Sequence, residues 1–444
     1  MRRIHQRPRG KRTLGDAPQR LSPDHREYSQ FETELANLMQ NPASVNADFS
    51  KLRVAIVHYW FVGRAGGERV VEALAEIFPQ ADLFSLVAER SILAPILQNR
   101  KLQTSFLQRI PGAKKFHRHF LFLQPLALEQ FDLSDYDLVI SSESGPAKGV
   151  LTSPKTCHIC YCHSPMRYIW DMYPEYRRAM KFPVGAIFSL TAHYVRLWDF
   201  ASASRVDYFV ANSRFIAARI RKYYGRDSTV IHPPVEAAVG TVSGQPGEYY
   251  LAIGRLVDYK RFDLAIAACT TLGRKLKIIG VGPSEKALRR LAGPTVEFLG
   301  PVSDTELRKN LAGCRALLFP GEEDFGIVPV EAQSFGKPVI AYGSGGVLET
   351  VRGVFPNEAE LQNPTGVFFT DGSVSGLTKA VLEFESMERE FRPEIIRQHS
   401  LQFDRAIFKR RISDFVASAL KDFQARNQVD NGCDDKVLDA FARV

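Results

Sequence analysis

The chain has 444 residues, 45% of them hydrophobic, with 58 basic and 49 acidic residues and a net charge of +9. That length exceeds what one core organises, so two domains are expected, and the charged (24%) and aromatic (11%) contents are those of an ordinary soluble globular protein. No apolar segment follows the N-terminal basic run, and no window reaches the ~18 apolar residues of a membrane span, so the chain reads as cytoplasmic rather than secreted or membrane-spanning.

Residues 1–50 lack hydrophobic periodicity and read as a disordered basic extension, with a short helix near Glu32 to Met39. Its first twelve residues carry Arg2, Arg3, Arg7, Arg9, Lys11 and Arg12 without an acid, which suits either an anionic partner or a solvated tail. From Leu52 to Tyr59 an apolar run predicts the first strand of a parallel sheet, followed by a loop with Gly63, Gly66 and Gly67 and a helix burying Val70, Val71, Ala73, Leu74 and Ile77. Tyr136 to Ser141, Cys157 to Cys162, Val206 to Ala211 and Thr229 to Ile231 read as further strands, with a helix from Ser213. Residues 51–236 thus form a first Rossmann-like domain, and 237–248, with Gly240, Gly244, Pro246 and Gly247, a linker.

The alternation then restarts over 249–404. Strands are expected at Tyr249 to Ile253, Leu276 to Ile279, Val296 to Leu299, Ala316 to Phe319 and Pro338 to Tyr342. Helices are expected at Phe262 to Thr271, Ser284 to Leu291 and Pro329 to Phe335. An amphipathic helix at 405–424 is expected to pack back on the first domain, ahead of a loosely held tail, 425–444. The fold class is therefore α/β, two facing Rossmann-like domains with a ligand cleft between their strand C-termini.

Of six cysteines, Cys157, Cys160 and Cys162 alternate with His158 and His163 in a run that could pass for a metal cluster. A second cysteine pair at zinc-site spacing is missing, and the run also reads as a buried strand with Cys as a small apolar residue, so no metal is expected. Cys269, Cys314 and Cys433 complete the set, all expected to stay reduced.

The sharpest chemical signal is Gly321-Glu322-Glu323-Asp324-Phe325-Gly326-Ile327-Val328-Pro329-Val330-Glu331. Backbone N–H groups of Phe325, Gly326 and Ile327 at a helix start make an anion site, Glu323 can face a sugar ring, and Glu331 can reach ribose hydroxyls. Arg255 and Lys260, after the first strand of the second domain, can converge on a diphosphate and stabilise its charge as it leaves. Gly280 and Gly282 let the backbone approach a base or ribose, or make a plain strand-to-helix turn. Gly66 and Gly67 can lie under a donor or acceptor, but their spacing from Gly63 does not give the dinucleotide fingerprint. His163, at a strand end before Ser164-Pro165, points into the cleft with Arg167 nearby.

This set resembles the large retaining glycosyltransferase family with two facing Rossmann-like domains (the GT-B type) over about Leu52 to Phe423. Glu323-x7-Glu331 is its most specific motif, and Tyr161 to Asp171 and Gly66 to Glu68 look most like a subgroup of O-antigen mannosyltransferases that uses GDP-mannose. His232-Pro233-Pro234-Val235 and Ala211-Asn212-Ser213 are similar to that subgroup's interdomain strands. The resemblance implies a metal-independent transferase without cofactor, with the nucleotide sugar as substrate. It implies that His163, Glu323, Arg255 and Lys260 serve the reaction, that Gly67, Gly280, Gly282, Phe325, Gly326, Ile327 and Glu331 help hold the donor, and that Gly66 and Arg167 face the acceptor. Asp324 sits where many members have Gly. The one Asp-x-Asp, Asp135-Tyr136-Asp137, opens a strand and so lies away from the cleft.

The expected acceptor is a saccharide or polyprenyl-diphosphate-linked sugar in surface polysaccharide synthesis. Arg100 to Phe131, where Lys101, Arg109, Lys114, Lys115 and Arg118 interleave with Phe106, Phe116, Phe120 and Phe122, suits contact with the inner face of the plasma membrane or a helical insertion with a solvated face; nucleic acid is not expected. Competing readings are a UDP-sugar-dependent glycosyltransferase, a nucleotide-sugar epimerase on the same scaffold, and a non-catalytic binding protein.

Overall fold

The computed structural model describes residues 48–63, 66–242, 247–355 and 361–441. The basic run Met1 to Arg12, the helix expected near Glu32 to Met39, and Gly244 and Pro246 of the linker lie outside the described residues, as does the side chain of Cys433.

The first domain is built on seven parallel strands. In chain order they are β1 (Val54–Phe61), β2 (Asp82–Ala88), β3 (Leu102–Thr104), β4 (Leu138–Glu143), β5 (Cys157–Cys162), β6 (Tyr208–Ala211) and β7 (Thr229–Val230). They lie in the order β3-β2-β1-β4-β5-β6-β7. The order reverses between β1 and β4, where Val54 pairs with Leu138 and His58 with Ser142; ligands of doubly wound sheets bind beyond the strand ends at such a reversal. β4 and β5 are buried along their whole length, as central parallel strands require. β2 and β3 have no counterpart among the expected strands.

Helix α1 (Gly66–Ile77) buries Val70, Val71, Ala73 and Leu74 on the sheet. Gly66 and Gly67 are thus its first residues rather than a preceding loop. Helix α2 (Val184–Ser202) buries Ala192, Val195 and Asp199. Helix α3 (Arg214–Tyr224) starts at Ser213, whose Oγ accepts from Ile216 N at 3.1 Å, and ends at Gly225 with φ 65°.

The second sheet also has seven parallel strands: β8 (Tyr250–Ile253), β9 (Leu276–Ile279), β10 (Val296–Gly300), β11 (Ala316–Phe319), β12 (Val339–Tyr342), β13 (Gly353–Val354) and β14 (Gly366–Phe369). Their order is β10-β9-β8-β11-β12-β14-β13, with the reversal between β8 and β11. Helix α4 (Phe262–Leu272) packs on one face, and helix α5 (Ile327–Ser334) follows β11. The last helix, α6 (Arg405–Phe441), is longer than expected and continues through most of the stretch taken as a loose tail. Its Phe408, Ile412 and Val416 enter the core of the first domain, where Phe408 meets Tyr161 edge-on at 5.7 Å between ring centroids.

The chain crosses between the domains at two places that touch. Val235 N donates to Phe403 O and Arg405 N donates to Val235 O, both at 3.0 Å. Beside them Val235, Phe325, Val330 and Phe403 share a small buried cluster. Among the described residues no helix is long and apolar enough to cross a membrane.

Candidate functional site

The site forms where the strand ends of β8 and β11 face those of β4 and β5. Beyond β8, Gly254 has φ 146°, a region open to glycine, and a Cβ there would stand 3.0 Å from Lys260 Nζ. The Lys260 ammonium therefore folds back beside the residue preceding Arg255, and it lies 2.6 Å from Glu323 Oε1. Arg255 is exposed and makes no ion pair among the described residues. The loop after β11 is pinned from behind, with Gly346 N donating to Glu323 O at 2.9 Å and Ser344 Oγ to Glu322 Oε2 at 2.5 Å. Gly326, at φ 96°, turns this loop into α5 and aims the first N–H groups of the helix outward.

Phe325 belongs to the interior. It is 3% exposed and its ring meets His232 and Phe403 at 5.3 and 5.6 Å. Its side chain anchors the loop, leaving only its backbone for a ligand. Gly280 and Gly282 also have packing reasons: a Cβ at Gly280 would stand 2.0 Å from Gly254 O, and one at Gly282 2.2 Å from Leu256 O. These glycines hold the turns after β8 and β9 together, the plain-turn alternative for them.

Several side chains tie this loop to the first domain. Arg69 Nη1 lies 2.6 Å from Glu331 Oε1. Asp324 receives Arg167 and, at 3.1 Å, Arg219, while its backbone oxygen accepts from Ser213 Oγ at 2.6 Å. The acid at the position where glycine is frequent is thus an interdomain clamp, and it engages the guanidinium of Arg167. Glu349 accepts from Arg214 N and Phe215 N at 2.9 and 3.2 Å, capping α3 from the other domain, and stands 3.2 Å from His232 Nε2.

On the first-domain side, His163 N donates to Glu143 O at 2.6 Å and His163 O accepts from Asn212 Nδ2 at 3.0 Å. Ser142 Oγ joins two imidazoles, His163 Nε2 at 2.8 Å and His58 Nδ1 at 3.2 Å. His58 Nε2 lies 3.8 Å from Glu68 Oε1. Burial, reinforced by His58, pushes the His163 pKa down to about 3, so its ring is neutral at working pH. The start of α1 touches both halves of the site. A Cβ at Gly67 would stand 3.6 Å from His163 Nε2, and one at Gly66 2.7 Å from Ile327 Cδ1. Glycine there lets α1 approach both.

Behind His163 lies a buried ionic cluster that sequence reasoning missed. Lys148, Glu143 and Asp199 are fully buried; Lys148 Nζ pairs with Asp199 and, at 3.1 Å, with Glu143 Oε1. Asp199 Oδ2 also accepts from Trp170 Nε1 at 2.7 Å and Tyr224 OH at 2.9 Å. Burial raises the Glu143 pKa to about 7. A lysine among Ala147, Gly149, Val150 and Leu151, and the lone acid of an apolar helix, are the signals that could have exposed it.

The Asp135-Tyr136-Asp137 segment precedes β4, with Asp137 Oδ2 accepting from Arg53 N at 2.8 Å, at the strand end away from this site. Cys157, Cys160 and Cys162 are buried along β5, and burial pushes the Cys157 thiol up to about 12.

Residues 64–239 match the family model for Glycosyltransferase Family 4, and residues 241–400 that for Glycosyl transferases group 1. Among curated proteins, the chain is 25% identical over 256 residues to an alpha-1,3/1,6-mannosyltransferase of Saccharomyces cerevisiae, a match covering 45% of this chain and 49% of the yeast protein. It is 32% identical over 151 residues to the GDP-mannose-dependent alpha-(1-6)-phosphatidylinositol monomannoside mannosyltransferase of Mycobacterium tuberculosis, covering 30% of this chain and 37% of that one. The chain thus spans about half or less of the length of these relatives. Among solved structures, Anabaena HepE bound to UDP superposes with TM-score 0.59 at 16% identity, over 83% of this chain and all of that one. Sucrose-phosphate synthase from Thermosynechococcus elongatus superposes with TM-score 0.59 at 15% identity, over 83% and 99%. At those identities the likeness establishes the GT-B fold.

Proposed function

We propose, on the premise that this chain is a GT-B glycosyltransferase of group 1, that it transfers mannose from GDP-mannose, with retention, to a saccharide or polyprenyl-diphosphate-linked acceptor in surface polysaccharide synthesis. The observation that carries the reading is the convergence of Lys260 on Glu323, 2.6 Å apart, beside the exposed Arg255 and the open N-terminus of α5. Mannose is favoured by the two partial relatives, both named as mannosyltransferases.

In this reading the donor diphosphate lies over the α5 N-terminus, and Lys260 exchanges the Glu323 carboxylate for phosphate oxygens. Arg255 and Lys260 then stabilise the charge that grows on the leaving diphosphate, without metal or cofactor. Glu323 is released to hydrogen-bond the sugar hydroxyls. Glu331 holds the ribose, sharing or exchanging its contact with Arg69. The acceptor hydroxyl attacks the anomeric carbon from the face the diphosphate leaves and gives its proton to a diphosphate oxygen. His163, neutral and held by Ser142 and the Glu143 carbonyl, lines the sugar subsite as a hydrogen-bonding group rather than a charged acid. A double displacement would need a carboxylate on the opposite face.

The test is a donor screen with purified protein in EDTA, following nucleotide release from GDP- and UDP-sugars. GDP release from GDP-mannose, reduced about 100-fold or more in Arg255→Ala, is expected. Turnover of a UDP-sugar instead overturns the donor assignment. An epimerised nucleotide sugar formed without acceptor would establish the epimerase, and absence of both binding and turnover the non-catalytic protein.

A further inference from the structure

Helix α2 is apolar on two opposite faces, and among the described residues only one is packed into the core, the other being mostly exposed. Ala192 and Val195 pack inward with Met166 and Ile169. The other face carries Ile187, Leu190, Tyr194, Leu197 and Phe200 at helical spacing, with Leu190 74% and Ile187 61% exposed. Phe182, just before the helix, is 86% exposed. A continuous stripe of this size is more than scattered surface hydrophobics, and it marks an interaction face.

The stripe continues onto a second segment. Phe122, 56% exposed, meets Tyr194 at 4.8 Å between ring centroids, and Phe116 is 46% exposed on the preceding turns. The two segments share a charge pattern: residues 101–128 contain five Lys or Arg and no Asp or Glu, and residues 176–198 contain four and again no acid. Lys115, Arg118 and Lys181 are exposed and have no acidic partner among the described residues. Lys114 and Arg178 are paired, with Glu89 and Glu175; the apolar stripe rich in aromatics beside Lys115, Arg118 and Lys181 suits the boundary between acyl chains and anionic headgroups. A second copy of this chain would set the same cations against one another.

We infer that the outer face of α2, together with the turns carrying Phe116 and Phe122, docks on the surface of an anionic lipid bilayer. α2 would lie in the plane of the interface, its stripe among the acyl chains and Lys115, Arg118 and Lys181 at the phosphates. Arg196 Nε donates to Ile169 O at 2.8 Å, in the loop that runs on from His163, so the docked face joins directly to the first-domain wall of the cleft. This surface stands on its own geometry and does not depend on the identity of the donor.

The experiment is flotation of the full chain with phosphatidylcholine vesicles, with and without phosphatidylglycerol. The unaltered protein is expected to float with the anionic vesicles, and to be released by high salt. Ile187→Ser/Leu190→Ser/Leu197→Ser is expected to reduce partitioning at least tenfold, and Lys115→Glu/Arg118→Glu to remove the preference for phosphatidylglycerol. Thermal melting and GDP binding, measured on the same preparations, are expected to be unchanged because all five positions are outside the cleft. Failure of the unaltered protein to float, or equal flotation of the triple variant, overturns the inference. So does a protein that floats with neither vesicle but is a dimer in sedimentation and a monomer as the triple variant, which would make the face a self-association surface. Flotation without GDP binding would leave this inference standing and count against the proposed donor.

Discussion

Arg69 of the first domain and Glu331 of the second meet at 2.6 Å, side by side with the glycines that let α1 approach the start of α5. The acid expected to receive the ribose is therefore already engaged from across the cleft, and under the proposed function ligand entry and interdomain contact draw on the same carboxylate.

Removing the competitor should help the ligand. The pair is partly exposed (33% and 16%), which makes it worth about 1 kcal/mol. Arg69→Ala is expected to tighten GDP binding several-fold in titration calorimetry, whereas Glu331→Ala weakens it about tenfold or more. Weaker binding in Arg69→Ala would make Arg69 a donor ligand in its own right.

Gly280 is a test of the turn packing that shapes the cation loop. With φ 130° and Gly254 O in the place of a Cβ, Gly280→Ala is expected to cost on the order of 3 kcal/mol and to lower the melting temperature by several degrees. Gly225→Ala, at φ 65° in open space, is the comparison, with a cost of about 1 kcal/mol. Equal losses at the two positions would refute the close approach.

The buried cluster should be intolerant of losing its cation. Lys148→Met strands Glu143 and Asp199 together in the interior, with an expected loss of about 3–5 kcal/mol, and adding Asp199→Asn is expected to restore part of it. All three tryptophans, Trp60, Trp170 and Trp198, lie in the first domain, so their fluorescence in urea reports that domain alone. A Lys148→Met midpoint equal to that of the unaltered chain would sink the argument.

Acid should weaken the first domain. Burial holds the His158 and His163 pKa values near about 4 and about 3. Below the unfolded value of about 6.5 the unfolded chain binds protons the native rings refuse, and each ring costs about 1.4 kcal/mol per pH unit. Glu143, raised to about 7 by burial, opposes one such increment, since the native form takes its proton first. The balance is a loss of roughly one increment per pH unit as pH falls from 6.5 towards 4.5. Tryptophan-detected melting should show the midpoint falling over that range; a midpoint that climbs would contradict it.

Strands β5, β9 and β11 were legible to the residue, because a central parallel strand is a short apolar run between turn residues. β2 was not, since Asp82 and Ser85 break its run, and the two-residue β13 exists only through its pairing with β14. The loop between β11 and α5 could be read because Glu323, Gly326 and Glu331 are close in sequence and their spacing carries the geometry. The pairings of Arg69, Asp324 and Glu349 could not, because their partners lie more than a hundred residues away; the Lys148 cluster left only the indirect signals of a lysine in an apolar stretch and a lone acid in an apolar helix, with Asp199 51 residues from Lys148. Phe325, Gly280 and Gly282 carry structural work in the protein interior that their motifs do not announce.

The paired crossings at Val235 and Phe403 to Arg405 have a topological consequence. Because α6 returns to the core it left, the second domain is an insertion within the first, tethered at both ends. Its junction is two backbone crossings held side by side by the hydrogen bonds of Val235 to Phe403 and Arg405. Proteolytic nicking of one crossing would leave the other, so the cleft would survive a cut that separates ordinary tandem domains.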